Sequence, residues 1–414
     1  MNKKVDERIL DSYKNNIINT LKKLRQDQTC PKNSEYFFTL AENWFLKKNE
    51  DNKIPKIGLI GKCIPEEMIY ALGAQPVWIL GGSFEAGLAA DEYVPRDTDP
   101  VVRSTVGMIK SGLVPDILDC KAIIAPVAYD SERKMVGMLS KDMEVYPVEI
   151  PPIKWTEGSK LKWIYQIDKI KSLLEKKTRK KMNHKNLIQA VKLVNLAKLQ
   201  IKQLMEIRRE NPQIISASLM LFIMNTYYFN NDLRKWTYEM QILNEELKNT
   251  VKEDVNSKIK PRIFVIGSPI YFPNMKIPLL LEELGAEIAD VEIEASKFYV
   301  DEIIHYENSS KDLLNYIALK HYLYDYSPYF IPSEHRIRSL KKIAREQNIK
   351  GVLYHILKGH LCYDFELEDV EEKFKEEGIP VFRIETDYNY EDIEQLRIRT
   401  EAVIEMLSAK IINH

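Results

Sequence analysis

Cysteine is scarce in this chain of 414 residues: there are four, at Cys30, Cys63, Cys120 and Cys362. They are widely spaced and form no CxxC pair, which argues against a disulfide framework. An excess of either charge is missing too. Sixty Lys and Arg stand against 61 Asp and Glu, a net charge of −1. Composition therefore makes no case for nucleic acid or an anionic membrane as partner. Long apolar runs are absent; the longest, near Leu219 to Met224, is too short to span a bilayer. The stretch Met1-Asn2-Lys3-Lys4-Val5-Asp6-Glu7 is charged and lacks the apolar core of a signal peptide. The expectation is a cytoplasmic protein with reduced thiols. No GxGxxG and no phosphate loop with Gly-Lys-Ser/Thr occurs, so direct nucleotide hydrolysis is not expected.

What is there reads as α/β. A hydrophobic fraction of 45% is normal for a globular protein, and the length suits two or three domains. A helical lead-in (1–55) carries Ile9, Leu10, Tyr13, Ile17, Leu21 and Leu24 on one face. A first α/β domain follows (56–154). Ile57-Gly58-Leu59-Ile60 predicts a buried strand, Pro65-Glu66-Glu67 starts a helix, and Gly73-Ala74 stops it. Pro76 to Leu80, Ala122 to Pro126 and Val145 to Ile150 predict three more strands. A Lys-rich helical insert (155–258) has a first helical run broken at Pro212 and a second from Leu219 to Leu247, with its charges read as mostly a solvated face. A second α/β domain (259–414) repeats the order: strand Ile263 to Ile266, helix, Gly285-Ala286, strand, later strand Gly351 to His355, and Pro-flanked strand Ile379 to Ile384. The echo predicts two Rossmann- or flavodoxin-like parallel sheets related by duplication. Open α/β sheets bind ligands at their carboxyl edges. Facing sheets would therefore gather Cys63, Asp99, Tyr129, Asp130, Ser268, Cys362 and Asp387 around one cleft.

Each residue has a plainer reading beside the functional one. Glu66 and Glu67 suit the positive end of a helix; one of them could instead face the cleft as a general base. Asp99 before Pro100 reads as a helix N-cap as readily as a metal ligand. Arg103 and Ser104, at the same helix start, could hold a phosphate or carboxylate. Cys120 opens an apolar strand and reads as a buried hydrophobe, and Cys30 as incidental. Near Cys362, His360 is a better site candidate than His355, which lies on a strand.

Several segments carry a family resemblance: Cys63-Ile64-Pro65-Glu66-Glu67-Met68-Ile69-Tyr70-Ala71-Leu72-Gly73-Ala74, Pro95 to Gly107, Tyr129 to Met135, Gly267-Ser268-Pro269 with Pro273 to Pro278, Gly378 to Tyr388, and Gln395 to Arg399. In order and spacing the chain resembles the 2-hydroxyacyl-CoA dehydratase / benzoyl-CoA reductase family, in its double-cubane cluster branch, over nearly everything from Ile57 to Leu407. The resemblance implies two Rossmann-like domains and an oxygen-sensitive iron–sulfur cluster held between them by loop cysteines. It also implies an ATP-hydrolysing activator that delivers single electrons, the cytoplasm of an anaerobe, and a homodimer or a heterodimer with a family paralogue.

The sequence departs from that family where the cluster would be held. Asp99 and Tyr129 stand where relatives place cysteines, as does Ala295. Ser327-Pro328-Tyr329-Phe330 replaces a Cys-Pro-Cys-Phe type segment. Only Cys63 and Cys362 remain at or near ligand positions, and two thiolates do not complete the usual set of a cubane cluster. Three readings stay open. The first is a cluster-free member whose cleft binds a CoA thioester, a small acid or a partner subunit. The second is an active reductive dehydratase or reductase whose cluster is held by Cys63, Cys362 and the Asp99 carboxylate. The third is a non-catalytic subunit paired with a cluster-bearing homologue or with itself. The candidate catalytic set is Glu66, Glu67, Ser104 and Asp130. The candidate cofactor-binding set is Cys63, Asp99, Arg103, Tyr129 and Cys362, with Cys63 and Cys362 as metal ligands.

Overall fold

The β-rich segments assemble into two parallel sheets of identical strand order. The structure, a computed structural model, describes residues 6–47, 54–61, 64–250, 260–293, 303–305, 312–324 and 327–412. Cys63 and Ala295 lie outside the described residues. In the first sheet β1 (Lys56–Ile60), β2 (Gln75–Ile79), β3 (Cys120–Val127) and β4 (Val145–Glu149) run in the order β2-β1-β3-β4. In the second, β5 (Arg262–Gly267), β6 (Glu287–Ile293), β7 (Gly351–Leu357) and β8 (Val381–Thr386) run β6-β5-β7-β8. This is the flavodoxin-like order as far as its fourth strand. It makes the chain an α/β protein of two like domains, as expected of a duplication.

The common order has a direct consequence. In each sheet the chain reverses direction of travel beside its first strand, between β1 and β3 and between β5 and β7. Carboxyl-edge loops diverge there and leave a crevice. The near-continuous burial of β1, β3, β5 and β7 fits strands covered on both faces.

Helices complete each layer. Asp99 caps the helix Pro100–Ser111, accepting from Val102 N at 3.0 Å, with Pro100 in the first turn and Gly112 left-handed at the end. This helix lies directly on the helix Phe84–Ala89. A Cβ added to Gly107 would fall 1.6 Å from the Ala86 carbonyl oxygen, so only glycine permits the approach.

The lead-in forms the helices Glu7–Arg25 and Glu35–Leu46. The insert forms Glu157–Thr178, His184–Glu210, Ala217–Asn225 and Leu233–Asn249. One expectation is corrected here: the run Leu219 to Leu247 is broken by a 3-10 turn (Thr226–Phe229), after which Asp232 caps a new helix through the amides of Arg234 and Lys235. Two of the insert's charged residues are exceptions to its solvated face. Lys198 and Arg208 are buried, and Arg208 donates to the carbonyls of Ile215 (3.1 Å) and Ile288 (2.5 Å), pinning the insert to β6. The helix Leu313–Leu323 arises in a stretch with no amphipathic period, whereas Glu334–Glu346 carries a helical one in Ile337, Leu340, Ile343 and Ala344 that sequence reasoning missed. Among the described residues no helix is long and apolar enough to cross a membrane.

Candidate functional site

The residues that follow β1, β2, β3, β5 and β7 close around a narrow cavity of about 30 Å³ between the two sheets. Tyr129, just after β3, enters it from the first domain. Tyr329 and His360 enter from the second. The two tyrosine rings stack nearly parallel, with centroids 5.3 Å apart and planes at 11°. The His360 ring lies 5.4 Å from that of Tyr129, and its Nε2 shares a 3.1 Å hydrogen bond with the Tyr329 hydroxyl. Offset ring pairs of this kind add about 0.5–1.5 kcal/mol beyond the area they bury.

His360 ends the turn after β7 and precedes the helix Leu361–Lys375. Burial, with the neighbouring His355, pushes its pKa down to about 3. Burial likewise lowers His355 to about 4, and its Nδ1 lies 3.1 Å from the Ser268 carbonyl. Both rings are therefore neutral at physiological pH. Among the described residues, His360 Nδ1 and His355 Nε2 are buried without a hydrogen-bond partner. Asp99 stands beside this group, 1% exposed. Burial raises its pKa to about 6, opposed by the amides of Val102 and Val101 and by the hydroxyls of Ser131 and Tyr129. The rest of the lining is mixed: Ile79, Leu80 and Val101 are apolar, whereas Thr105, Glu132 and Tyr271 bring polar groups.

A loop from β8 locks the two domains across this seam. Lys276 is buried, with Nζ 2.6–2.8 Å from Thr386 Oγ1, the carbonyls of Asp387 and Asn389, and Asp392 Oδ1. The loop so held presents Tyr388, whose hydroxyl donates to the Gly81 carbonyl at 2.6 Å.

The other sequence candidates are placed as follows. Arg103 is not presented to the cleft: its guanidinium pairs with Asp91 and donates to the Gly87 and Arg96 carbonyls. Ser104 Oγ accepts from Ser83 N at 2.9 Å inside the helix packing. Asp130 is exposed and pairs with Arg133 at 2.7 Å. Ser268 Oγ accepts from Leu357 N at 3.0 Å, behind the cavity. Asp387 pairs with Lys358 at 3.3 Å. Cys362 sits in the first turn of a helix, not in a loop, and is half-buried against the second domain's core. The Cys120 and Cys30 thiols are both pushed up by burial.

Glu66 and Glu67 turn away from the cavity into a buried polar cluster. Glu67 meets His321 Nε2 at 3.1 Å and Lys198 Nζ at 3.9 Å, and Glu66 accepts from the Tyr227 hydroxyl at 2.5 Å. Burial opposes ionisation of both. The charges of His321 and Lys198 nevertheless hold Glu67 down, whereas Glu67's own negative charge adds to the push on Glu66. A carboxyl whose folded pKa is raised contributes stability that is present at low pH and lost as pH rises through that value. Glu66→Gln keeps an acceptor for Tyr227 and removes the titration. It is therefore expected to stabilise the protein more at about pH 8 than at about pH 5, measured by thermal unfolding at both. An equal shift at the two pH values would count against a raised Glu66.

Comparison with known proteins agrees with this architecture. Residues 63–407 match the family model for the 2-hydroxyglutaryl-CoA dehydratase D-component. The chain belongs to that family. Similar proteins include YjiM of Escherichia coli (strain K12), 23% identical over 361 residues, covering 86% of this chain and 93% of YjiM. The (R)-phenyllactyl-CoA dehydratase beta subunit of Clostridium sporogenes is 24% identical over 392 residues, covering 91% of this chain and all of the relative. The (R)-2-hydroxyglutaryl-CoA dehydratase subunit beta of Acidaminococcus fermentans is 23% identical over 358 residues, covering 85% and 92%.

Proposed function

We propose that this chain is a cluster-free member of the dehydratase family that works as a ligand-binding subunit, through its inter-domain cleft, beside a partner subunit. The observation that carries the reading is the Tyr129–Tyr329 stack, in which two phenols from opposite domains meet where the family resemblance calls for thiolates. Phenol rings are poor substitutes for soft, anionic sulfur ligands of iron. Asp99, at a third such position, spends one oxygen capping a helix. The names of all three relatives describe subunits, which supports a partner for this chain.

Iron and acid-labile sulfide, measured after strictly anaerobic purification, test the reading. The expected result is colourless protein with sub-stoichiometric iron. A stoichiometric cluster with cubane-type absorption would replace it with the second reading: an active reductase component fed by an ATP-dependent activator, its iron held by Cys63, Cys362 and Asp99.

A further inference from the structure

We propose that the Tyr129–Tyr329 pair, backed by His360, sets the size of guest that the cleft admits, and that a lining with no cation among the described residues restricts those guests to uncharged molecules. The proposal rests on the cluster-free reading above and deepens it by naming the ligand class. Three observations carry it.

The first is position. The rings come from different domains, and both line the cavity, so they bridge the seam that any guest must enter. Their contact is face to face, so a planar guest would have to part or replace them.

The second is charge. The described residues lining the cavity include no lysine or arginine, and their one charged side chain is a carboxylate, Glu132. Glu132 Oε2 already accepts from Ala128 N at 2.8 Å. The two arginines nearest in sequence to Asp99, Arg96 and Arg103, are both engaged by Asp91. A carboxylate or a CoA phosphate would lose its hydration here and meet no compensating cation.

The third is hydrogen-bonding capacity. His360 lines the cavity, is 2% exposed, and keeps Nδ1 unpartnered. A neutral imidazole nitrogen can bond an uncharged hydroxyl or carbonyl without moving a charge. The cavity therefore combines apolar walls with a few polar groups, His360 among them, the usual composition of a small-molecule site.

The test is calorimetric titration of the full chain near neutral pH with three probes: phenol (uncharged), benzoate (anionic) and butyryl-CoA. The wild type should bind neither benzoate nor butyryl-CoA. Tyr129→Ala/Tyr329→Ala, which removes both rings, should bind phenol at least about tenfold more tightly than the wild type, with no gain for benzoate. Tyr329→Ala alone is the fallback if the double alanine variant does not fold, and should show a smaller gain of the same sign. Binding of benzoate or butyryl-CoA by the wild type would overturn the proposal. So would a ring-deleted protein, folded by circular dichroism, with unchanged phenol affinity. Iron analysis of the same samples separates the two claims. A cluster in the wild type defeats the underlying reading, whereas iron-free protein that fails the titration defeats only this inference.

Discussion

Replacing Glu67 with glutamine is expected to lower the unfolding free energy by about 3–5 kcal/mol, the range for breaking a buried ion pair by removing one partner. Glu67, Lys198 and His321 come from three distant segments, and the first two are fully buried. The carboxylate is the group that faces both of the others. Its loss leaves the Lys198 charge in a medium that solvates it poorly. The measurement is urea unfolding, with the midpoint falling at unchanged slope. Lys198→Met should cost a similar amount, and the double variant should cost less than the sum, because the two residues share one interaction. The pH dependence has a defined sign. Glu67's folded pKa is depressed, so its contribution is present above the ordinary carboxyl range and is lost as pH falls through the lowered value. A Glu67→Gln protein as stable as the wild type at neutral pH would show that the cluster is not what joins these segments.

Gly107→Ala is the second large effect. Its new methyl group would lie 1.6 Å from a backbone oxygen of the opposing helix, which has no side-chain freedom to yield. The two helices must separate, so the cost should exceed the roughly 1–3 kcal/mol of ordinary overpacking. The expected outcome is insoluble protein or a marked drop in thermal midpoint. Gly137→Ala provides the control. It is also helical but meets nothing within 4 Å, so it should be neutral or stabilising by up to about 1 kcal/mol. Equal effects at the two sites would contradict the close packing.

Strands such as β1, β5 and β7 were legible because each is a short apolar run bounded by Gly or Pro, and such runs signal buried parallel strands whatever their partners are. The N-cap at Asp99 was legible because Asp-Pro is a local signal. Lys198 was not. It lies in a lysine-rich helix, and its partner carboxylate is more than a hundred positions away in the chain. His321 and Glu67 are 254 residues apart, and no local pattern links them. Tyr329 was visible as a departure from a family segment. Its stacking on Tyr129 required the two domains to be assembled. Arg103 shows the converse. Its position at a helix start suggested anion binding, and only the fold reveals Asp91 beside it.

The helical insert grips both sheets. Arg208 reaches β6, Asn195 exchanges two hydrogen bonds with Ile304 at 2.9 and 3.1 Å, and Asn225 receives the Phe272 amide at 3.2 Å. On the other side, the Gln75 side chain donates to the Asn230 carbonyl at 3.0 Å. A body clamped along its spine in this way cannot swing open like a book. Traffic into the interior must pass by side-chain rotation at the rim, which makes exchange a matter of ring flips and loop breathing instead of wholesale parting of the halves.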